Sequence, residues 1–295
     1  MQMKEIREKA YAKLNISLDV TDKRDDGFHN MVMVMQTVSL ADDVHIVLND
    51  SGRVRAKSNL SFVPGDERNL AVKAALRYLK EIGDERHGAD IDIKKRIPVG
   101  AGMGGGSADA AAVLRAMNKL FDNALPVERL VDISGSVGSD VPFCVRGGTA
   151  LAKGRGELLS DLPEFPDCFF AICKPSFSIS TPELFKKLDQ LRTHHHPDTA
   201  GIVEALHSHD LSQICRRMFN VFESVDDRRM RTVTDIKSAL IDNGALGAVM
   251  TGTGSAVFGI FTDENQAEAA CAALRKDYGF SCSAKPVSAA LRHLT

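Results

Sequence analysis

The sequence predicts an α+β protein built as two domains, residues 1–160 and 161–295, and three observations carry that expectation. The chain opens on a strand pattern in which Leu14, Ile16, Leu18 and Val20 alternate with Lys13, Asn15, Ser17 and Asp19. A glycine-dense run, Gly100 to Gly106, stands between a second alternating pattern and an alanine-rich helical one. From Cys168 onward, with the helical stretches that precede residue 219 set aside as an insertion, the order is β-α-β-β-α-β, a ferredoxin-like layout. Pro163 and Pro166 cluster at the expected boundary, between residues 155 and 167.

Composition narrows the function classes. The 295 residues are 44% hydrophobic and 26% charged, with a formal net charge of −2, which suits a soluble globular protein with ample core. Such a balance carries no electrostatic footprint for nucleic acid or an anionic membrane. The six cysteines form no C-x-x-C pair, as expected of reduced thiols in a cytosol. The opening MQMKEIREKA lacks an apolar signal core and no run approaches membrane-spanning length, so a cytoplasmic protein is expected.

The elements follow in order. Tyr11 to Val20 is a strand; a strand lysine is ordinarily solvated, so Lys13 points either to water or into a site. The turn TDKRDDGFHN has Asp26-Gly27 as its tight point, with Phe28 and His29 at its exit. An aromatic beside an imidazole at a hairpin is either packing or a means of holding a nucleobase. Met31 to Leu40, Val44 to Leu48 and Arg53 to Ser58 read as strands, Asn69 to Lys80 as an amphipathic helix, and Ala89 to Arg96 as a strand. Ala108 to Phe121 reads as a helix with Ser107 as N-cap. After a helix opened by Pro126, Asp140 lies in the apolar segment GSDVPF, either as a cap or as a site carboxylate. The later elements are a strand (168–174), helices near 181 and 200–218, a long helix (226–243), strands (246–250 and 256–261), a helix (264–277) and a strand (280–287). His194, His195 and His196 fall in a loop, where adventitious metal binding is the most they suggest.

The glycine run speaks most directly of chemistry. Five glycines in seven positions leave bare N–H groups in front of a helix N-terminus, an arrangement that binds phosphate. Gly100, Gly105 and Ser107 match the spacing of a Walker A loop, but position 106 is Gly where that loop needs its lysine. Gly100, Gly102 and Gly105 match G-x-G-x-x-G, but a second helical pattern follows the helix where a dinucleotide fold needs a strand. A flexible linker fits less well still, since linkers carry serine and polar filler and this run is clamped between an alternating strand pattern and an apolar helix. A second glycine-hydroxyl loop, Thr251-Gly252-Thr253-Gly254-Ser255, lies between the last two central strands.

Three segments together, the strand with Lys13, PVGAGMGGGSADAA and TGTGSAVFG, resemble the GHMP kinase superfamily. Within it, AKLNISLDVTDKRDDGFHNM, KKRIPVGAGMGGGSADAA and GSDVPFCVRGGTALAKGRGE resemble the 4-diphosphocytidyl-2-C-methyl-D-erythritol kinases, over essentially the whole chain. The resemblance implies the two-domain GHMP kinase fold: an N-terminal ATP-binding and catalytic domain of the ribosomal S5 domain 2-like type, then a ferredoxin-like domain. It implies transfer of the ATP γ-phosphoryl group to the 2-hydroxyl of a cytidylated methylerythritol, a step of non-mevalonate isoprenoid synthesis, with Mg²⁺. Its catalytic residues fall on Lys13 and Asp140. Its ATP loop falls on Pro98, Val99, Gly100, Ala101, Gly102, Met103, Gly104, Gly105, Gly106, Ser107 and Ala108, with Ser107 a candidate Mg²⁺ ligand. Its substrate residues fall on Asn15, Phe28, His29, Lys95, Phe185, Thr251, Gly252, Thr253 and Gly254. Phe28 keeps the ring of the tyrosine that many members carry. The partner implied is a small molecule, not nucleic acid or membrane.

Overall fold

The computed structural model describes residues 4–191 and 195–289. Its first layer is a seven-stranded sheet, ordered β3 (Val54–Ser58), β4 (Gly88–Lys94), β2 (His29–Asn49), β1 (Glu5–Lys23) and β8 (Phe219–Asn220), with a hairpin of β5 (Thr149–Gly154) and β6 (Leu158–Asp161) attached to β2. Strand β1 (Glu5–Lys23) pairs antiparallel with β2 (His29–Asn49) from end to end. The two strands expected over 31–48 are therefore one, because Ala41, Asp42 and Asp43 stay paired with β1 across the expected break. Strand β3 (Val54–Ser58) runs parallel to β4 (Gly88–Lys94) after the chain has passed through helix α1 (Leu70–Ile82). Asn69 caps α1 by accepting the Ala71 N–H.

Helix α2 (Gly105–Leu120) begins at the glycine run. It starts three residues earlier than expected, with Gly104 as its cap in the left-handed region, so Ser107 lies within the first turn and does not cap it. Ala108, Ala110, Ala111, Ala112 and Ala116 are buried, so their small side chains let α2 lie close on β1 and α1. Helices α3 (Val127–Ser134) and α4 (Val141–Arg146) follow, then strands β5 (Thr149–Gly154) and β6 (Leu158–Asp161). The edge of β2 away from β1 is shared: its first half pairs with β5 and its second half with β4. Leu14, Ile16, Ile46, Ile91 and Ile93 form the core with α1 and α2, each contributing about 1.5–3 kcal/mol by burial.

Strand β7 (Phe169–Lys174) opens the second layer, followed by α5 (Thr181–Leu188), α6 (Thr199–His207) and α7 (Leu211–Arg217). The short β8 (Phe219–Asn220) then returns to the first sheet, in parallel register with Ser17 and Leu18 of β1. Helix α8 (Met230–Asp242), β9 (Gly247–Met250), β10 (Val257–Phe261), α9 (Glu264–Tyr278) and β11 (Phe280–Ala284) complete the chain. The four-stranded sheet is antiparallel in the order β11-β7-β10-β9, which is the ferredoxin-like order 4-1-3-2. Its core centres on Phe170, Phe258 and Phe261, all fully buried. Among the described residues no helix is long and apolar enough to cross a membrane.

Candidate active site

The polar face of β1 does not meet water. Lys13, Asn15, Ser17 and Asp19 are all buried, because the loop after β9 and the segment around β8 cover that side of the strand. The β1–β2 register shifts on both sides of the stretch Lys13-Leu14-Asn15. Such irregularities release side chains from the regular pleat and re-aim them.

A cleft of about 730 Å³ lies where the two layers meet, and Lys13 and Asp140 both line it. Lys13 Nζ stands 3.4 Å from Asp140 Oδ2 and donates to Asn15 Oδ1 at 2.6 Å. The Lys13 side chain is 5% exposed and that of Asp140 29%, so the ammonium is fixed while the carboxylate reaches the cleft. Asp140 occupies the cap position of α4 yet makes no capping bond; its carboxylate turns to Lys13 instead.

The glycine run divides by face. Gly100, Gly102, Gly104 and Ser107 line the cleft, while Ala101, Met103 and Ala108 are buried beneath them and Val99 is exposed. Gly100, Gly102 and Gly104 have φ of +66°, +76° and +66°, which side chains disfavour. At Gly102 a Cβ would lie 2.1 Å from the Thr251 carbonyl oxygen, and at Gly104 one would lie 3.1 Å from Lys13 Cγ. The glycines therefore let the loop approach both the second loop and the lysine.

Gly252, Thr253 and Gly254 line the cleft opposite. Thr251 and Asn15 are buried behind them: the Asn15 N–H donates to Thr251 Oγ1 at 3.0 Å, and the Gly252 N–H donates to Asn15 Oδ1 at 3.0 Å. Asn15 and Thr251 thus act as the seam between the halves, and neither reaches the cleft surface.

The aromatic end is assembled from both halves. His29 stacks on Phe185, with ring centroids 4.6 Å apart, and Phe222 meets Phe185 edge-on. His29 Nε2 lies 2.7 Å from Asp189 Oδ1, and Lys23 Nζ donates to Asp189 Oδ2 at 2.6 Å. Although partial burial opposes it, the hydrogen bonds and charges of Lys23 and His29 hold the Asp189 carboxyl below the usual carboxylate range. Phe28 is half exposed, with the Arg155 guanidinium 3.9 Å from its ring centroid. Lys95 is a departure. It does not line this cleft: its ammonium is buried between Asp42 and Asp109, behind the glycine loop.

Sequence reasoning overlooked Arg155, Lys23, Lys186 and Asp189, all of which line the cleft. Arg155 carried a signal, a cation between two glycines of a tight turn; Asp189, at the end of α5, carried none. His194 lies outside the described residues, His195 is exposed, and His196 Nδ1 lies 3.0 Å from Asp19 Oδ1. Among the described residues no group of three or more His, Cys, Asp or Glu could hold a metal.

Residues 69–148 match the GHMP kinases N terminal domain, and residues 202–279 match the GHMP kinases C terminal domain. The chain is 44% identical, over 88% of its length and 90% of the relative's, to a 4-diphosphocytidyl-2-C-methyl-D-erythritol kinase of Syntrophomonas wolfei. It is 45% identical to a kinase of the same name from Exiguobacterium sibiricum, over 88% and 90% of the two chains. A crystal structure of 4-(cytidine 5'-diphospho)-2C-methyl-D-erythritol kinase superposes with a TM-score of 0.78 at 29% identity, covering 95% of this chain and 99% of that one. The mevalonate kinase of L. major shares the fold alone, with a TM-score of 0.74 at 15% identity over 97% and 98% of the chains. With relatives this similar along nearly its whole length, the chain belongs to the 4-diphosphocytidyl-2-C-methyl-D-erythritol kinase family of the GHMP kinases.

Proposed function

We propose that the cleft transfers the γ-phosphoryl group of ATP to the 2-hydroxyl of 4-diphosphocytidyl-2-C-methyl-D-erythritol, with Lys13 and Asp140 as the catalytic residues. The observation that carries this reading is the Lys13–Asp140 pair, 3.4 Å apart, facing a cleft walled by two glycine loops. Asp140 orients the acceptor hydroxyl and takes its proton as the oxygen bonds to the γ-phosphorus; the bond to the bridging oxygen breaks and ADP leaves. Lys13, paired with Asp140, offsets charge on the attacking oxygen and the moving phosphoryl group.

Gly100, Gly102, Gly104 and the first turn of α2 offer the ATP phosphates backbone N–H groups where a Walker lysine is missing. Mg²⁺ needs no all-protein cage, since it keeps several waters and is bound through one or two carboxylates and substrate phosphates. It would neutralise phosphate charge, and Ser107, a hydroxyl lining the cleft, is the residue proposed to hold it. Phe28 and the His29–Phe185 stack offer ring faces to cytosine, and Gly252, Thr253 and Gly254 close the opposite wall. The proposed division into residues 1–160 and 161–295 leaves β1 to β5 and all of β6 but Asp161 in the first domain, and the ferredoxin-like strands in the second. A cytoplasmic setting fits six cysteines with no C-x-x-C pair among them.

A coupled assay of ADP release tests the reading. The protein is given Mg-ATP with 4-diphosphocytidyl-2-C-methyl-D-erythritol, mevalonate, homoserine or galactose. Turnover confined to the cytidylated alcohol is expected. Turnover with another alcohol instead would keep the kinase and overturn the substrate.

A further inference from the structure

Behind the glycine loop lies a buried charged cluster that phosphoryl transfer does not itself require. Lys95 follows directly on β4, where the loop begins, and Asp109 lies on α2, where the loop has ended. Lys95 Nζ donates to Asp109 Oδ2 at 2.6 Å and to Asp42 Oδ2 at 2.5 Å. Asp42 Oδ1 accepts the backbone N–H groups of Arg96 and of Ile97, the latter at 2.8 Å. The Lys95 backbone N–H is itself held by Asn59 Oδ1 at 2.7 Å. All three charged side chains are at most 5% exposed, and Asp109 Oδ1 is buried with no hydrogen-bond partner. A Cβ placed on Gly105 would lie 3.3 Å from Lys95 Nζ, so the ammonium sits directly behind the first turn of α2.

Stability alone is a poor account of this arrangement. Burying charges carries a desolvation penalty, and well-packed apolar groups of the same volume are often as stable or more so. Here one cation serves two carboxylates, and one carboxylate oxygen has no partner. What the cluster supplies is position and charge. The Lys95–Asp109 bond ties the two ends of the loop together, and Asp42 ties the first end to β2. The lysine also neutralises carboxylates that would otherwise stand behind a phosphate site.

We infer that Lys95, Asp42 and Asp109 are positioning residues that clamp the neck of the nucleotide loop and set the affinity for ATP. The inference rests on the proposed assignment of that loop to ATP. It replaces the expectation that Lys95 touches the cytidylated substrate.

Steady-state kinetics of Lys95→Met, varying each substrate in turn, test it. The KM for Mg-ATP rises about ten-fold or more, the worth of a lost charge-assisted bond. At saturating ATP, kcat and the KM for the cytidylated alcohol stay within about two-fold. Lys95→Met/Asp109→Leu lacks the same clamp and keeps the raised KM for Mg-ATP, read independently by calorimetric titration with Mg-ADP; recovery of the parent's affinity would overturn the clamp in favour of an uncompensated buried charge. Should Lys95→Met fail to fold, Asp109→Asn alone is expected to raise the KM for Mg-ATP. A rise confined to the KM for the alcohol would overturn the inference and restore Lys95 to the substrate. A lowered melting temperature with both KM values unchanged would overturn it in favour of a purely structural role. Parent enzyme that releases no ADP would instead overturn the kinase reading beneath it.

Discussion

Lys13 shows how a single side chain changes meaning with its surroundings. On an isolated strand its alternation with Leu14 and Ile16 describes a solvated lysine, and only the covering of β1 by the second layer makes it a buried ammonium held by Asn15 and Asp140. That covering comes from residues more than 200 positions away, Thr251 and Gly252, so local pattern had no access to it. Replacement of either partner tests the pair. Lys13→Met and Asp140→Asn are expected to lower kcat by about 10²- to 10⁴-fold, the usual worth of a positioned acid–base group. Circular dichroism and Mg-ADP titration should remain close to the parent, because the Asp140 side chain makes no capping bond and the Lys13 ammonium donates to the Asn15 side chain. Turnover within a few-fold of the parent would remove both residues from the chemistry.

Among the elements, the glycine loop and α2 were the most legible, because glycine density followed by alanine-rich helix formers has few structural readings. The cap was misread. Ser107 has the right chemistry for an N-cap, but Gly104 in the left-handed region turns the chain sooner and leaves the hydroxyl on the first turn, beside the cleft. The later β-α-β-β-α-β order was also legible, since each strand is a short apolar run bounded by helix signals. Strand β8 was not: two residues carry no period, and their place beside β1 is set by tertiary packing. The loop's close fit makes its own prediction. At Gly102 a methyl group would both force an L residue into φ of +76° and overlap the Thr251 carbonyl. Gly102→Ala is therefore expected to cost about 1–3 kcal/mol from backbone strain alone, with loss of ATP affinity, measured by denaturant unfolding and by Mg-ADP titration. Stability and affinity equal to the parent's would mean that the two loops need not touch.

At the scale of the whole molecule, the two layers are joined by a polar seam at the catalytic cleft. The Ala256 N–H donates to the Ala101 carbonyl at 3.1 Å, and Asn220 Nδ2 bridges the carbonyls of Met250 and Gly252 at 2.7 and 2.8 Å. A seam of this kind is invisible to hydrophobic periodicity, which explains why the sequence located the two loops but not their contact. The same burial governs the thiols of the second layer. Burial is the leading cause that raises the thiol pKa at Cys168, Cys173, Cys215, Cys271 and Cys282, with Cys173, Cys215 and Cys282 pushed up to about 12. A thiol whose folded pKa lies above its unfolded value of about 8.5 holds its proton more tightly when folded. Its contribution to stability is complete below the unfolded pKa and is lost as pH rises from there towards the folded one. The melting temperature is therefore expected to fall between about pH 8.5 and pH 10.5, and less steeply in a Cys173→Ala/Cys282→Ala variant. A thiol reagent at neutral pH should react slowly with the buried cysteines of the native protein and quickly with all six cysteines once it is denatured. Equal slopes in parent and variant, with fast labelling of the native protein, would show that the second layer opens to solvent far more readily than its packing implies.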